Sequence, residues 1–395
     1  MNNSSRVKIG IYMAALLMMG TIGISSSLST IGARFSEYDQ TMITNLISIP
    51  CLVVIPVTII AGKLMDFMAK KTLTALGVLF FLVGGIIPAF LDNFIMILVC
   101  RGVLGIGIGL IQVLCSALVA ENFEGAERDK VQGNMTSAQM LGCAVMVFCG
   151  GWLGSMGWNV VFFVHAVGVV SLIGVLALIP HRKPTVSTDN NAPKAKVTIT
   201  PAAWGWILLM FLFFIGGQIY SNSVSFLVAE MNIGTAAESG MSLAFFALGG
   251  FIMGLIFGKI ASVAKRATIS IGFIMLAVSY VIMAFSSSMT TIYLGSLICG
   301  LAFSIAMPCI IVGTANSVDA ASAGMAIAIA TGVQNFSMFL CPFVVNPIGL
   351  ALSQSTGMNK NQMALIFGAV LIGVIGVISL VGVLARSGKE SSAKV

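Results

Sequence analysis

The sequence predicts an all-α membrane protein in which twelve transmembrane helices form two pseudo-symmetric six-helix bundles. Of the 395 residues, 58% are hydrophobic and only 8% are charged, whereas a soluble globular protein has about 25% charged residues. The apolar residues form runs long enough to span a bilayer as helices, which takes about 20 residues each. The two halves of the chain also resemble each other, which favours a duplicated bundle.

Twelve apolar runs account for nearly the whole chain. The first follows two cations, Arg6 and Lys8, but it is too long for a signal peptide and lacks a cleavage site, so we interpret it as a transmembrane helix. The spans predicted in the first half are 9–31, 41–62, 72–90, 94–120, 135–155 and 158–180. Those predicted in the second half are 203–229, 239–261, 267–286, 291–315, 323–350 and 361–385.

One polar segment separates the sixth predicted span from the seventh. It covers 181–201 and contains three prolines, which is typical of a linker. We therefore expect an N-terminal six-helix bundle over 1–180, a cytoplasmic linker over 181–201 and a C-terminal six-helix bundle over 202–395.

Lysine and arginine fall almost entirely on one side of the predicted topology. Seventeen lie on the side that holds both termini and the linker, two (Arg34 and Lys360) lie on the other side, and Arg101 falls inside a span. Cytoplasmic loops carry an excess of such residues. We therefore expect a multi-pass protein of the cell inner (cytoplasmic) membrane with both termini in the cytoplasm.

Composition and motifs argue against several other classes. The net charge of +7 comes from cations scattered singly or in pairs, and nucleic-acid binding needs a basic stripe or patch. The sequence has no G-x-x-x-x-G-K-[ST] segment and therefore no ATP site of its own. Paired carboxylates at membrane depth and a G-x-S-x-G segment are absent too, so we do not expect an enzyme. The eight cysteines fall in apolar runs without metal-ligand spacing, and we expect no metal and no cofactor.

Short motifs recur in the two halves at nearly the same offset. The corresponding segments are Gly62-Lys63-Leu64 with Gly258-Lys259-Ile260, Lys70-Lys71 with Lys265-Arg266, and Gly105 with Gly300. A duplicated six-helix unit places a pseudo-twofold axis along the membrane normal and a solute path near the midplane.

The connector after the second span carries the most specific motif. Gly62, Leu64, Asp66, Lys70 and Lys71 match by position the loop G-x-L-A-D-R-x-G-R-K, so the chain resembles the major facilitator superfamily. The resemblance implies a secondary transporter that works by alternating access. It also implies that Gly62, Asp66, Lys70 and Lys71 belong to a gate at the cytoplasmic side.

The fourth span resembles the second motif of that family, an arginine followed by spaced glycines, through Arg101, Gly105, Gly107 and Gly109. This resemblance assigns Arg101 and Gly105 to conformational coupling. The antiporter motif expected in the fifth span departs from its pattern, because Met146 and Val147 occupy the central Gly-Pro positions. Proton-driven efflux is therefore the weaker expectation.

Two titratable groups lie at membrane depth, and each has two interpretations. Arg101 is an intramembrane cation, which points to function, either coupling protonation to movement or contacting an anionic solute. Alternatively it is a structural arginine bonded to carbonyl groups of the first or second helix. His165 has a pKa range suited to a proton relay, and the alternative is a satisfied packing residue.

Uncharged polar side chains within the spans are the candidates for a substrate cavity. Gln218 and Asn222 are four residues apart and share one helix face. The full set is Gln218, Asn222, Tyr220, Gln334, Asn335 and Gln112. Hydrogen bonding between helices is the competing explanation. No carboxylate lies at mid-membrane, which disfavours cationic substrates.

The sequence thus predicts a secondary active transporter that moves a small neutral or anionic organic solute, driven by a proton or solute gradient. Its expected partners are the solute, H+ and the lipid bilayer, and we expect a monomer. Proton-coupled efflux of hydrophobic drugs is the alternative within the same class. A membrane receptor or scaffold that does not transport is the alternative from another class.

Overall fold

The computed structural model describes residues 3–182, 198–264 and 267–392, and throughout these ranges every regular element is helical. The α-helices are α1 Asn3–Ala15, α2 Leu28–Arg34, α3 Gln40–Leu64, α4 Lys70–Ile86, α5 Phe94–Asn122, α6 Gly125–Met156, α7 Val167–Leu178, α8 Pro201–Gly217, α9 Ile219–Glu230, α10 Ala236–Ala264, α11 Thr268–Ala284, α12 Met289–Asn316, α13 Ala320–Thr356 and α14 Lys360–Ser392. Short 3-10 helices cover Gly20–Ser27, Ile87–Phe90 and Val160–Ala166. The predicted all-α fold is confirmed.

Eleven helical segments in the described ranges are long and apolar enough to cross a membrane. They are Ser4–Arg34, Gln40–Leu64, Lys70–Phe90, Phe94–Asn122, Lys130–Met156, Val160–Leu178, Pro201–Glu230, Ala236–Phe257, Met289–Ala315, Ser322–Thr356 and Lys360–Val381. A further apolar helix, Thr268–Ala284, is shorter. Each of the twelve predicted spans overlaps one of these segments.

The helices form two compact units. Unit 1 comprises Met1–Lys194 with Thr235–Ala244, and unit 2 comprises Ala195–Gly234 with Phe245–Val395. Most of the predicted linker, residues 183–197, lies outside the described residues. The predicted bundle limits stay a prediction.

Several helices begin at side chains that cap them. The carboxylate of Asp39 accepts a hydrogen bond from the backbone N–H of Met42 at 2.8 Å, and α3 begins directly after Asp39. Asn93 caps α5 in the same way, and the hydroxyl of Thr200 caps α8. Such side chains satisfy N–H groups that have no partner within the helix. Polar residues in the connectors therefore determine where these helices start.

In unit 1, glycines let α5 approach α3 and α4 closely. A Cβ atom on Gly105 would lie 2.6 Å from the carbonyl oxygen of Pro50 in α3, and one on Gly107 would lie 2.5 Å from that of Gly77 in α4. Side-chain atoms do not approach a backbone oxygen so closely, and small residues are what permit such contacts between membrane helices. Gly105, predicted to act in conformational coupling, thus lies where α5 contacts α3.

In unit 2, aromatic rings fill the space between α8, α11 and α12. The ring centroid of Phe213 lies 5.5 Å from that of Phe273 and 4.7 Å from that of Phe303. These distances are in the favourable range for aromatic pairs. The cluster fixes the end of α8 against its two neighbours.

Candidate functional site

The first transmembrane segment of each half of the sequence is interrupted. In unit 1, α1 ends at Ala15, a 3-10 helix covers Gly20–Ser27, and α2 begins at Leu28. In unit 2, α8 ends at Gly217 and α9 begins at Ile219. Irregular backbone at membrane depth is tolerated only where protein or a cavity satisfies its polar groups. Interruptions at corresponding positions of a repeated fold are typical of solute and ion sites.

Small polar side chains fill the break in unit 1. Thr21 is buried, and Ser25, Ser26 and Ser27 have no exposed surface. The hydroxyl of Ser27 donates a hydrogen bond to the carbonyl oxygen of Gly150 at 3.3 Å. The hydroxyl oxygen of Ser25 has no hydrogen-bond partner within the described residues. Because a buried polar group without a partner costs about 1–3 kcal/mol, Ser25 is a candidate contact for a bound molecule.

Arg101 joins this break to two other helices. Its side chain is 0% exposed, and its Nε donates to the carbonyl oxygen of Leu46 in α3 at 2.7 Å. Nη2 donates to the carbonyl oxygen of Thr21 at 3.1 Å, and Nη1 lies 3.1 Å from Nε2 of His165. These bonds include the carbonyl contacts to the first and second helices that the structural interpretation of Arg101 requires. A role in coupling or in contacting an anion stays a prediction.

The contacts of His165 with Phe162 and Arg101 favour one tautomer of its ring. Nδ1 lies 2.9 Å from the carbonyl oxygen of Phe162, which can only accept, so Nδ1 carries the hydrogen. Nε2 then has a lone pair, and the guanidinium of Arg101, which can only donate, supplies a hydrogen bond to it. The ring is 0% exposed and packs against Phe81 with centroids 5.3 Å apart. In this arrangement His165 is neutral, and the predicted proton relay stays a prediction.

Three consecutive carbonyl groups at the break in unit 2 accept hydrogen bonds from side chains. The hydroxyl of Tyr280 in α11 donates to the carbonyl oxygens of Gly216 and Gly217, at 2.8 and 3.0 Å. The thiol of Cys341 in α13 donates to the carbonyl oxygen of Ile215 at 3.3 Å. The last carbonyl groups of a helix lack partners within the helix. Side chains from two neighbouring helices thus stabilise the end of α8.

Two polar atoms at this break have no partner within the described residues. Gln218, Asn222 and Ser223 are all buried, with Asn222 2% and Ser223 1% exposed. Nδ2 of Asn222 donates to the sulfur of Cys341 at 3.4 Å. Oδ1 of Asn222 and the hydroxyl oxygen of Ser223 remain without a hydrogen bond to any described residue. Since most buried polar groups in proteins are paired, these atoms are candidate contacts for a ligand.

The other predicted cavity residues lie on three helices. The hydroxyl of Tyr220 in α9 donates to the hydroxyl of Ser296 in α12 at 2.7 Å. Asn335 in α13 is buried and donates to a carbonyl oxygen of its own helix at 3.0 Å. Gln334 in α13 and Gln112 in α5 are half-buried. Tyr220 makes the bond between helices that the packing alternative expects, and the cavity role of all four residues stays a prediction.

The predicted gate residues meet at one end of unit 1. They line a cavity of about 220 Å³. Nζ of Lys70 lies 2.7 Å from the carboxylate of Glu121, and Nη1 of Arg182 lies 3.4 Å from the same carboxylate. Asp66 is exposed and forms no ion pair with another described residue. The predicted gate residues and the ion-paired residues that line this cavity are Gly62, Asp66, Lys70, Lys71, Glu121 and Arg182.

Sequence reasoning named Gln218, Tyr220 and Asn222 at the unit 2 break but missed Cys341 and Tyr280. Both lie in apolar runs, where a thiol or a phenol ring is also a common packing group. The nearest signal was Gly216-Gly217, since glycine has a low helix propensity. Nothing in the local sequence indicated which distant side chains would satisfy the carbonyl groups there.

Hydrogen bonding is the chemistry that the two breaks offer. The unit 1 break offers the hydroxyl of Ser25, and the unit 2 break offers the amide oxygen of Asn222 and the hydroxyl of Ser223. Among the residues that the structure describes, no group of three or more His, Cys, Asp or Glu side chains has an arrangement that could hold a metal ion.

Comparison with known proteins finds a solved transporter of the same fold and curated transporters of partly similar sequence. A mutant of the nucleoside transporter NupG superposes with a TM-score of 0.75 over 96% of this chain and 99% of that chain, at 13% sequence identity. The multidrug transporter protein MdtP of Bacillus subtilis is 27% identical over 128 residues, which is 32% of this chain and 24% of MdtP. The uncharacterized MFS-type transporter YfhI of Bacillus subtilis is 31% identical over 138 residues, which is 34% of each protein.

These similarities concern the family of the chain and do not identify the solute that it carries. The chain matches only about a quarter to a third of the length of these curated relatives. They are named as transporters and not as enzymes, as expected from the sequence. The sequence model of the Major Facilitator Superfamily matches residues 10–342, which include both helix breaks. This chain, a multi-pass membrane protein, therefore belongs to the Major Facilitator Superfamily.

Proposed function

We propose that the protein is a secondary active transporter that moves a small neutral or anionic organic solute by alternating access. The main support is the buried oxygen of Asn222, which lies at an interrupted membrane helix and lacks a partner within the described residues. Membrane transporters of repeated architecture bind solutes at such interruptions. Membership of a transporter family also supports a transport function.

The charge of the buried side chains supports a neutral or anionic solute. Among the Asp, Glu, Lys and Arg side chains whose burial the structure describes, Arg101 is the one that is buried. A buried carboxylate would be the expected counter-charge for a cationic solute. Arg101 uses three of its five N–H groups on Leu46, Thr21 and His165, which leaves two for an anion.

The cavity that holds Asp66, Lys70 and Lys71 supports a gate at the cytoplasmic side. The three residues match the signature loop of the family and line the same cavity. The positive-inside rule supports a cytoplasmic orientation for this end and for both termini. We propose that the protein acts as a monomer in the cell inner membrane and that a proton or solute gradient drives it.

Efflux of hydrophobic compounds is the second candidate function. The observation in its favour is the similarity to MdtP, which is named as a multidrug transporter protein. Its cargo would be held by apolar surface, so it would not depend on the buried oxygen of Asn222.

Reconstitution into proteoliposomes tests the function. Labelled organic acids, alcohols and hydrophobic dyes are offered separately, with and without a pH gradient, to wild-type protein and to Asn222→Ala. The proposal expects uptake of a small polar solute that falls at least about fivefold in the variant, because a buried hydrogen bond is lost. Gradient-dependent movement of dyes alone would favour efflux, and binding without movement would favour a receptor. Asn159→Ala is the control, because the amide of Asn159 in unit 1 bonds to the carbonyl oxygen of Ala89 and is not part of either break.

A further inference from the structure

We propose that the break in unit 2 selects solutes that present a neutral hydrogen-bond donor, a hydroxyl or an amide N–H, to Oδ1 of Asn222. We further propose that Cys341 is the positioning residue that sets this preference. The inference rests on the proposed transport function, because it names the chemical class of the solute at the same site.

The thiol of Cys341 determines which way the amide of Asn222 faces. Its sulfur lies 3.3 Å from the carbonyl oxygen of Ile215 and 3.4 Å from Nδ2 of Asn222. A carbonyl oxygen can only accept, so the single thiol proton is donated to Ile215. The sulfur then offers Asn222 only lone pairs, and only the NH2 end of the amide can donate to them. Oδ1 is the end that faces away from the thiol.

The helix break itself makes this arrangement possible. In a continuous helix the carbonyl oxygen of Ile215 would accept the N–H of Ile219, but α8 ends at Gly217 and α9 begins at Ile219. Carbonyl groups in the last turn of a helix need partners from elsewhere. A chain of bonds therefore runs from the backbone of Ile215 through the thiol of Cys341 to the amide of Asn222.

The remaining amide oxygen calls for a donor. Asn222 is 2% exposed, and its Oδ1 has no partner within the described residues. An amide oxygen has two lone pairs and cannot donate. A solute that carries only acceptors, such as an ether or a tertiary amide, would bring its own oxygen against Oδ1. A solute with a hydroxyl or an N–H satisfies it.

The surroundings favour an uncharged donor. Among the Asp, Glu, Lys and Arg side chains of unit 2 whose burial the structure describes, none is buried. An ammonium group at Asn222 would therefore lack a buried counter-charge from these residues, and burying an unpaired charge is costly. Hydroxyl and amide N–H groups carry no such cost.

Matched pairs of probes test the donor rule on the purified full-length chain in lipid nanodiscs. The pairs are benzyl alcohol with benzyl methyl ether, and benzamide with N,N-dimethylbenzamide. Affinity is measured by titration against thermal unfolding. We expect the donor of each pair to bind at least about fivefold more tightly, which corresponds to one buried hydrogen bond. Equal binding within the pairs, or no binding of either donor, overturns the proposal.

Variants of Cys341 test its positioning role. In Cys341→Ala the amide of Asn222 is free to turn, so we expect the preference for donors to fall to about twofold or less. A serine hydroxyl can donate to Ile215 and accept from Asn222, so Cys341→Ser should restore the preference. Cys115→Ala is the matched control, because Cys115 is also a buried thiol directed at a carbonyl oxygen, that of Ile11 in unit 1. A preference that survives in Cys341→Ala overturns the role of Cys341.

Infrared spectroscopy tests the bonds of the Cys341 thiol without any added solute. The S–H stretching band of Cys341 is isolated as the infrared difference between wild type and Cys341→Ala. Replacing Asn222 with leucine removes the bond to the sulfur, and we expect the band to shift. A band at the position of a free thiol in wild type, or one that does not respond to Asn222→Leu, contradicts the proposed bonds.

The failure of the donor rule can be told apart from the failure of transport. Uptake of acceptor-only solutes into proteoliposomes at the rate of their donor partners would leave transport standing and remove the donor rule. Donor-selective binding without any uptake would remove the transport proposal and retain the donor rule.

Discussion

Nη1 of Arg101 donates a hydrogen bond to Nε2 of His165 over 3.1 Å, and both side chains have 0% exposed surface. The bond requires His165 to keep a lone pair on Nε2, so a proton bound there would displace the guanidinium. Because Arg101 also holds the carbonyl oxygens of Thr21 and Leu46, its displacement would release the break in unit 1 from α3. The pair therefore holds the interrupted helix against α3 through the bonds that Arg101 makes while His165 is neutral.

Replacing Arg101 with alanine should destabilise the protein and abolish uptake. The change leaves two carbonyl oxygens and Nε2 of His165 without their donor, and we expect the free energy of unfolding to fall by at least about 3 kcal/mol. Thermal unfolding in detergent measures the loss.

Arg101→Lys is the control, because it retains the charge but cannot reach three acceptors at once. Uptake that is lost in Arg101→Lys at near wild-type stability would indicate a functional arginine. Uptake that persists in both variants would exclude a functional role for Arg101 and leave only the structural interpretation.

Replacing His165 with glutamine should preserve uptake and its pH dependence. A glutamine side chain offers both an acceptor for Arg101 and a donor for the carbonyl oxygen of Phe162, although it does not titrate near neutral pH. His165→Phe removes both bonds and should lower the melting temperature, at a cost of about 1–3 kcal/mol per unpaired group. The initial rate of uptake is measured as a function of pH in all three proteins. A stable His165→Gln protein that has lost its pH dependence would establish the proton relay.

Replacing Asp66 with asparagine should reduce turnover at least about tenfold without a change in folding. Asp66 is exposed and has no ion pair within the described residues, so the free energy of unfolding should change by less than about 0.5 kcal/mol. Asp92→Asn is the matched control, since Asp92 is also exposed and its ion pair with Arg34, at 3.5 Å, is of the kind that adds little stability. Uptake rates and melting temperatures are compared for both variants. Unchanged turnover in Asp66→Asn would remove Asp66 from the gate.

Replacing Tyr280 with phenylalanine should weaken unit 2 at its break. The variant loses only the hydroxyl that bonds the carbonyl oxygens of Gly216 and Gly217, and the expected loss is about 1–3 kcal/mol in the free energy of unfolding. Amide exchange over Ile219–Glu230 should become faster, which mass spectrometry measures. Tyr38→Phe provides the comparison, because the ring of Tyr38 stacks on Phe94 and the change leaves that contact intact. Equal exchange in both variants would mean that the Tyr280 hydroxyl does not support the break.

The positions of the apolar spans and the family could be predicted because their signals are local. An apolar run of about 20 residues marks a span wherever it occurs. Gly62, Asp66 and Lys70 lie close together in the sequence, so their motif is readable without the fold. The structure brings the same residues to one cavity.

The two breaks could not be predicted in the same way. Both were predicted as parts of continuous spans, 9–31 and 203–229, because their composition is apolar enough for an uninterrupted helix. What stabilises the interruption is supplied from far along the chain, by Arg101 in unit 1 and by Tyr280 and Cys341 in unit 2. The sequence places Cys341 in an apolar run like the other cysteines, and only the distances to Ile215 and Asn222 give its thiol a role.

The support that Tyr280 and Cys341 give to α8 has a consequence for biogenesis. Both residues are synthesised after Pro201–Glu230 has left the ribosome, so the carbonyl groups of Ile215, Gly216 and Gly217 have no side-chain donors at that time. A nascent segment in lipid satisfies its own backbone by remaining an unbroken helix. The interruption therefore forms late, and a ribosome-bound chain that ends before Thr268 should hold Pro201–Glu230 as one straight rod.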